Sequence, residues 1–164
     1  MRSVPRYFLA LGIVILALAC GSSKNAVNPK LSDEMPMTIL WVWERPENLR
    51  FIDPAKVGVA FLAQTLVLEK DEIIYKPRRQ PLDVEPGTFL IAVTRIETLK
   101  LAGSRPSMSP GQVSRIVSLV RSTLELPNVR AVQIDFDAVG SERKFYGQFM
   151  RELSSNCRTA FLLR

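Results

Sequence analysis

Residues 129–153 read VRAVQIDFDAVGSERKFYGQFMREL, and the hydrophobic period changes halfway through. Up to Ala138 the residues alternate. Val132, Ile134 and Phe136 fall on one side and Gln133, Asp135 and Asp137 on the other, as in a β-strand. Beyond Ser141, the expected cap, the apolar residues are Phe145, Tyr146, Phe149, Met150 and Leu153, the spacing of one helix face. A strand feeding an amphipathic helix is part of a βαβ unit, and the flanking chain carries more of the same.

Upstream, Phe89–Glu97 (FLIAVTRIE) is nearly continuously apolar, as expected of a strand covered on both faces. Between the two strands lies a well-signalled helix. Ser109 is its cap, Pro110 its first residue and Gln112 the capping-box partner, followed by Val113, Ile116, Val117, Val120 and Leu124 at helical spacing. Further back, Val57–Thr65 and Thr38–Trp43 read as strands. Leu66–Glu69 and Ile73–Lys76 flank Lys70-Asp71-Glu72 as a hairpin excursion, and Pro77–Gly87 is a Pro-rich crossing. The loop after Trp43 admits one helical turn from Pro46. Downstream, Thr159–Leu163 reads as a fifth strand. Alternating strands and helices predict an α/β fold, mostly parallel, with every strand's C-terminal end on one rim.

The amino terminus says where the protein resides. Arg2 and Arg6 precede an apolar run from Phe8 to Leu18, about half the roughly 20 residues needed to span a bilayer, and Ala19 is the small residue before a cut. Residues 1–19 therefore read as a signal peptide. Leu16-Ala17-Leu18-Ala19-Cys20 resembles the bacterial lipobox, which implies a lipid-modified Cys20 as the new N-terminus. It departs from the family pattern in carrying Ala17 where Leu is preferred. An ordinary secretory signal beside a chance cysteine is the alternative. Residues 20–36 are small and polar and read as a tether, leaving one domain over 37–164. The expected location is the bacterial cell envelope. If the host has two membranes, the lipobox resemblance with Gly21 after the cysteine implies the outer membrane, facing the periplasm.

Composition excludes several chemistries. Removing residues 1–19 takes away Arg2 and Arg6, so 145 residues remain and the charge falls from +6 to +4. No basic run is longer than Arg78-Arg79, so nucleic acid is not an expected partner. With Cys20 lipidated, Cys157 has no disulfide partner. The absence of histidine removes Ser-His-Asp catalysis, His general acid/base work and His-ligated zinc. Carboxylates lead what is left.

Asp135 and Asp137 share a face at the C-terminal end of their strand, where α/β proteins place their sites. Arg95 and Glu97 end the neighbouring strand, and Trp43 with Glu44 ends the first. Trp43, Glu44, Arg95, Glu97 and Gln133 are thus candidate substrate contacts, and Asp135, Asp137 and Glu142 candidate catalytic carboxylates. Aromatic rings beside acids suit a sugar, whose ring face stacks while its hydroxyls need acceptors. Plainer readings stand beside these. Arg95 and the aspartates form a buried structural ion cluster, Trp41 and Trp43 are core, and Glu142 merely favours a helix start. Asp135 and Asp137 suit a hard divalent cation but are too few to define a metal site. No cofactor is expected.

LWVWERPENLRF, VAFLAQT, PRRQPLDVEPGT, IAVTRIE and VQIDFDAVGSERKFY resemble the bacterial lipoprotein family designated domain of unknown function 3142, over about Leu40 to Leu153. QIDFDA followed by SER is the most specific part. That family is similar to barrel-type glycoside hydrolases and has no established activity. The strand also resembles the chitinase-type signature Asp-x-x-Asp-x-Asp-x-Glu. Its middle acids fall on Asp135 and Asp137, its first on Val132, and its proton-donating Glu on Val139, so the donor of that route is missing.

Family members continue with further strand–helix units, and an eight-unit barrel needs about 250 residues. The resemblance therefore implies the N-terminal half of a (β/α)8 TIM-type barrel, cut after the fourth unit, with about five strands. The expected function is an envelope lipoprotein that binds or hydrolyses a carbohydrate such as an envelope polysaccharide. A non-catalytic glycan-binding or structural lipoprotein and a non-functional fragment are the alternatives. Unpaired strand edges predict self-association.

Overall fold

The computed structural model describes residues 34–101, 103–156 and, as backbone strand, 161–163. The signal peptide, Cys20, most of the tether and Cys157 lie outside the described residues. The chain forms β1 (Thr38–Val42), β2 (Glu47–Asn48), β3 (Val57–Glu69), β4 (Glu72–Pro77), β5 (Leu82–Asp83), β6 (Leu90–Thr98), α1 (Pro110–Ser122), β7 (Val129–Phe136), α2 (Arg143–Asn156) and β8 (Phe161–Leu163). Short 3-10 turns follow α1 (Thr123–Glu125) and precede α2 (Gly140–Glu142).

Five strands lie in the order β1-β3-β6-β7-β8, all parallel, and β4 folds back antiparallel on β3. The expected mixed α/β fold with a mostly parallel sheet is thus present, and its hairpin excursion is the β3–β4 pair. β3 runs unbroken to Glu69 instead of ending at Thr65. Its first half pairs with β1 and its second half with β4, so one long strand serves two partners on the same edge. Lys70 makes the tight turn with φ +49°.

Both helices pack on one face of the sheet. Val113, Ile116, Val117 and Val120 of α1 and Phe145, Phe149, Met150 and Leu153 of α2 share a core with Val59, Ala92, Val132 and Ile134. Phe136, Phe145 and Tyr146 meet edge-to-face within it. The opposite face carries a smaller cluster of Ala60, Leu62, Phe89, Ile91, Val93 and Ala131, with Met35 and Ile39 against it. The period-2 pattern of each strand divides these two sets. Gly58 leaves room for the Ile39 side chain and the Phe89 carbonyl. A Cβ there would stand 2.7 Å from Ile39 Cδ1 and 3.0 Å from the Phe89 carbonyl oxygen.

Local expectations differ from the structure in four places. The loop after Trp43 holds no helical turn at Pro46; Glu47–Asn48 pairs in parallel with Leu82–Asp83, zipping the loop to the Pro-rich crossing. β7 ends at Phe136 and not at Ala138. Ser141 caps nothing, because the Glu142 carboxylate takes the cap role by accepting from the Val139 N–H at 3.0 Å. At α1, Ser109 Oγ accepts from Gln112 N as expected. The Gln112 side chain, however, does not return to Ser109. Its Oε1 accepts from Met108 N, and its Nε2 donates to the carbonyls of Lys70 and Glu72, fastening the β3–β4 hairpin tip to the helix start.

Candidate functional site

Parallel strands bring the ends of β1, β3, β6 and β7 to one rim. Register sets Arg95 between Thr65 of β3 and Asp135 of β7. Alternation turns Arg95, Glu97, Gln133 and Asp135 to the face opposite the helices, and Trp41 and Trp43 close the row at the β1 side.

Four side chains form a ladder there. Trp41 and Trp43 have ring centroids 5.8 Å apart, tilted by 33°. The Arg95 guanidinium lies 5.4 Å from the Trp43 centroid, within cation–π reach. Arg95 Nε stands 3.0 Å from Glu97 Oε1. Trp41 is 49% exposed and Trp43 42%, so neither is core. The buried ion cluster is also absent: Arg95 pairs along its own strand with Glu97, both side chains are about 40% exposed, and neither aspartate is within ion-pair distance of it among the described residues. Matching register did not become a contact, because the short i,i+2 reach to Glu97 keeps the guanidinium over Trp43.

Two clefts flank the ladder and share Arg95 and Glu97. The smaller, about 130 Å³, lies among Trp43, Glu44, Thr65 and Lys76. The larger, about 300 Å³, lies among Lys100, Asp135, Phe136 and Asp137. Asp135 is half-buried and Asp137 exposed, and neither makes a side-chain hydrogen bond or ion pair among the described residues. Asp137 lies past the end of β7, at a turn that the Ala138 N–H closes on the Phe136 carbonyl at 2.9 Å, so the strand alternation expected of Asp135 and Asp137 stops short of Asp137.

Two candidates stand apart from the clefts. Gln133 lies one same-face step deeper than Asp135, beside Val93 in register. Glu142 is 6% exposed, and both its oxygens already accept, Oε1 from Thr98 Oγ1 at 2.8 Å and Oε2 from Val139 N. It joins the end of β6 to the entry of α2.

Three residues of this region carry no signal in the sequence. Lys76 reaches the smaller cleft only because β4 doubles back along β3, opposite Thr65. Lys100 flanks the larger cleft from the loop after β6. Arg78 fixes the Trp43 loop by donating to the carbonyls of Trp43, Arg45 and Gln80. Partial burial lowers its pKa from the usual arginine value by desolvation, so its charge is held by backbone dipoles and by Glu47 and Glu44 nearby. Among the described residues no group of three Asp, Glu or Cys side chains is placed to hold a metal ion, and no helix is long and apolar enough to cross a membrane.

A scan of protein-family models, a search of curated proteins and a search of solved structures each return no match to this chain. The rim itself therefore carries the functional reading.

Proposed function

We propose that this chain is a lipid-anchored envelope protein whose sheet is one half of a (β/α)8-type barrel, and that its rim binds a carbohydrate. The Trp41–Trp43–Arg95–Glu97 ladder beside the unpaired Asp135 and Asp137 carries this reading. Exposed indoles offer a flat apolar surface to a sugar ring, and the free carboxylates accept from its hydroxyls. Strands that follow chain order with both helices on one face support the barrel half, since a barrel winds in one direction with its helices outside. The lipobox-like run ending in Cys20 supports the anchor.

Binding is favoured over turnover. Hydrolysis needs a protonated carboxyl aimed at the leaving oxygen. Glu142 has both oxygens engaged by donors inside the fold, and the chitinase-type position is Val139. Asp137 as acid with Asp135 as stabilising carboxylate is the remaining hydrolytic pair.

A glycan array read for binding, then for release of reducing ends, tests both readings. The expected result is binding that Trp43→Ala abolishes, with no new reducing ends. Release that Asp137→Asn stops would establish hydrolysis, and no binding to any glycan would sink the proposal. For the anchor, Cys20→Ser should leave the protein unprocessed or in the soluble fraction. Unchanged mass and fractionation would refute lipidation.

A further inference from the structure

We propose that Arg78 is the positioning residue of the rim: its guanidinium fixes the Trp43 indole in the ladder and so sets how tightly the rim holds a sugar ring. The inference rests on the carbohydrate reading of the rim and adds the group that prepares it for the ligand.

Trp43 is not placed by the sheet or by the core. The pairing of β1 with β3 ends at Val42, opposite Phe61, and Trp43 opens the loop that runs to Glu47. Its side chain is half-exposed, so the close packing that selects one rotamer in a protein interior does not select this one. The ring meets Trp41 and the Arg95 guanidinium, and both contacts hold only while the loop backbone keeps the indole over Arg95.

Arg78 supplies that constraint. Its backbone N–H donates to the Ala63 carbonyl of β3 at 2.8 Å, so the residue starts from the strand beside β1. Its side chain then reaches the loop 35 residues back in sequence. Nη1 donates to the carbonyl of Trp43 itself, Nη2 to that of Arg45 at 2.7 Å and Nε to that of Gln80 at 2.9 Å. Three nitrogens of one planar fork thus hold three carbonyls, two in the Trp43 loop and one in the crossing after β4. A lysine at this position would keep the charge but offers a single nitrogen, which cannot reproduce the fork. An indole fixed before the sugar arrives spares the cost of ordering the loop on binding.

Trp41 and Trp43 are the two tryptophans of the chain, so the exciton couplet of their indoles in circular dichroism reads the ladder without any ligand. The full chain should show the couplet, and Trp43→Phe should remove it. Arg78→Met and Arg78→Lys should each lose most of it while keeping the helical signal. Both should also weaken binding to the strongest glycan on the array by about tenfold. A parent chain without the couplet, or an undiminished couplet or affinity in Arg78→Met, overturns the proposal. Couplet and affinity kept in Arg78→Lys refute the fork. Loss of the helical signal in both variants makes Arg78 a general stabilising residue and overturns the positioning role. A parent that shows the couplet but binds no glycan sinks the rim reading instead, because the couplet is measured without ligand.

Discussion

Arg95 holds two relationships at once: an ion pair with Glu97 and a seat over Trp43. Its half-exposed setting limits what the pair contributes, since solvent-screened pairs give about 0–1 kcal/mol. Arg95→Met should therefore cost no more than about 1 kcal/mol in chemical denaturation while abolishing glycan binding at the rim. A loss of several kcal/mol would mean a buried charge network after all. Glu142 behaves in the opposite way. Glu142→Ala orphans the Val139 N–H and the Thr98 hydroxyl and should cost about 1–3 kcal/mol, with glycan binding retained. Asp53 gives a pH effect of known sign. The Lys56 ammonium and the Ala55 N–H hold its carboxyl below the ordinary value, so the folded state favours the ionised form. Its contribution is present above the ordinary carboxylate pKa and is lost as pH falls through the depressed one. Asp53→Asn should flatten that acid limb slightly. At this scale alternation made the shared face of Arg95, Glu97, Gln133 and Asp135 legible. Which partner Arg95 takes was not, because that depends on the competition between a same-strand carboxylate and a cross-strand one.

The start of α1 is where local signals and tertiary ties meet. Ser109 and Pro110 were readable because a cap and a first-turn proline act within four residues. Gln112 was readable only by half: its backbone follows the cap rule, while its side chain serves Lys70 and Glu72 some forty residues away. Ser109→Ala should cost about 1 kcal/mol, as caps do. Gln112→Ala should cost more, because it also removes the bonds to the Lys70 and Glu72 carbonyls of the hairpin. Hydrogen exchange would show the difference. Ser109→Ala speeds exchange in the first turn alone, whereas Gln112→Ala also speeds it around Glu69–Ile73. Equal protection of the hairpin in both variants would remove the tie. β2 and β5 escape sequence reading altogether. Two residues per strand carry no period, and the pair is made by backbone bonds from Glu47 N to the Pro81 carbonyl and from Leu49 N to the Asp83 carbonyl, more than thirty residues apart in sequence.

The two faces and two edges of the sheet set the behaviour of the whole molecule. One face is covered by α1 and α2, and among the described residues neither helix reaches the other face, where Ile91, Val93 and Ala131 cluster. The strand order was legible because short crossovers place sequence neighbours side by side. Nothing in a local pattern says whether such a sheet closes. A closed barrel has no edges, while the described strands leave β1 and β8 each paired on one side only. β1, reading TILWV, has neither charge nor proline to discourage a further strand. A protein spanning residues 30–164 should therefore self-associate, its weight-average mass in sedimentation equilibrium rising with concentration. Trp41→Lys places a charge in the middle of that edge at an exposed position, so it should shift the protein toward monomer without unfolding it. If mass stays concentration-dependent in the variant, association runs through β8 or the apolar face. A concentration-independent monomer in the parent would mean that the sheet satisfies its own edges.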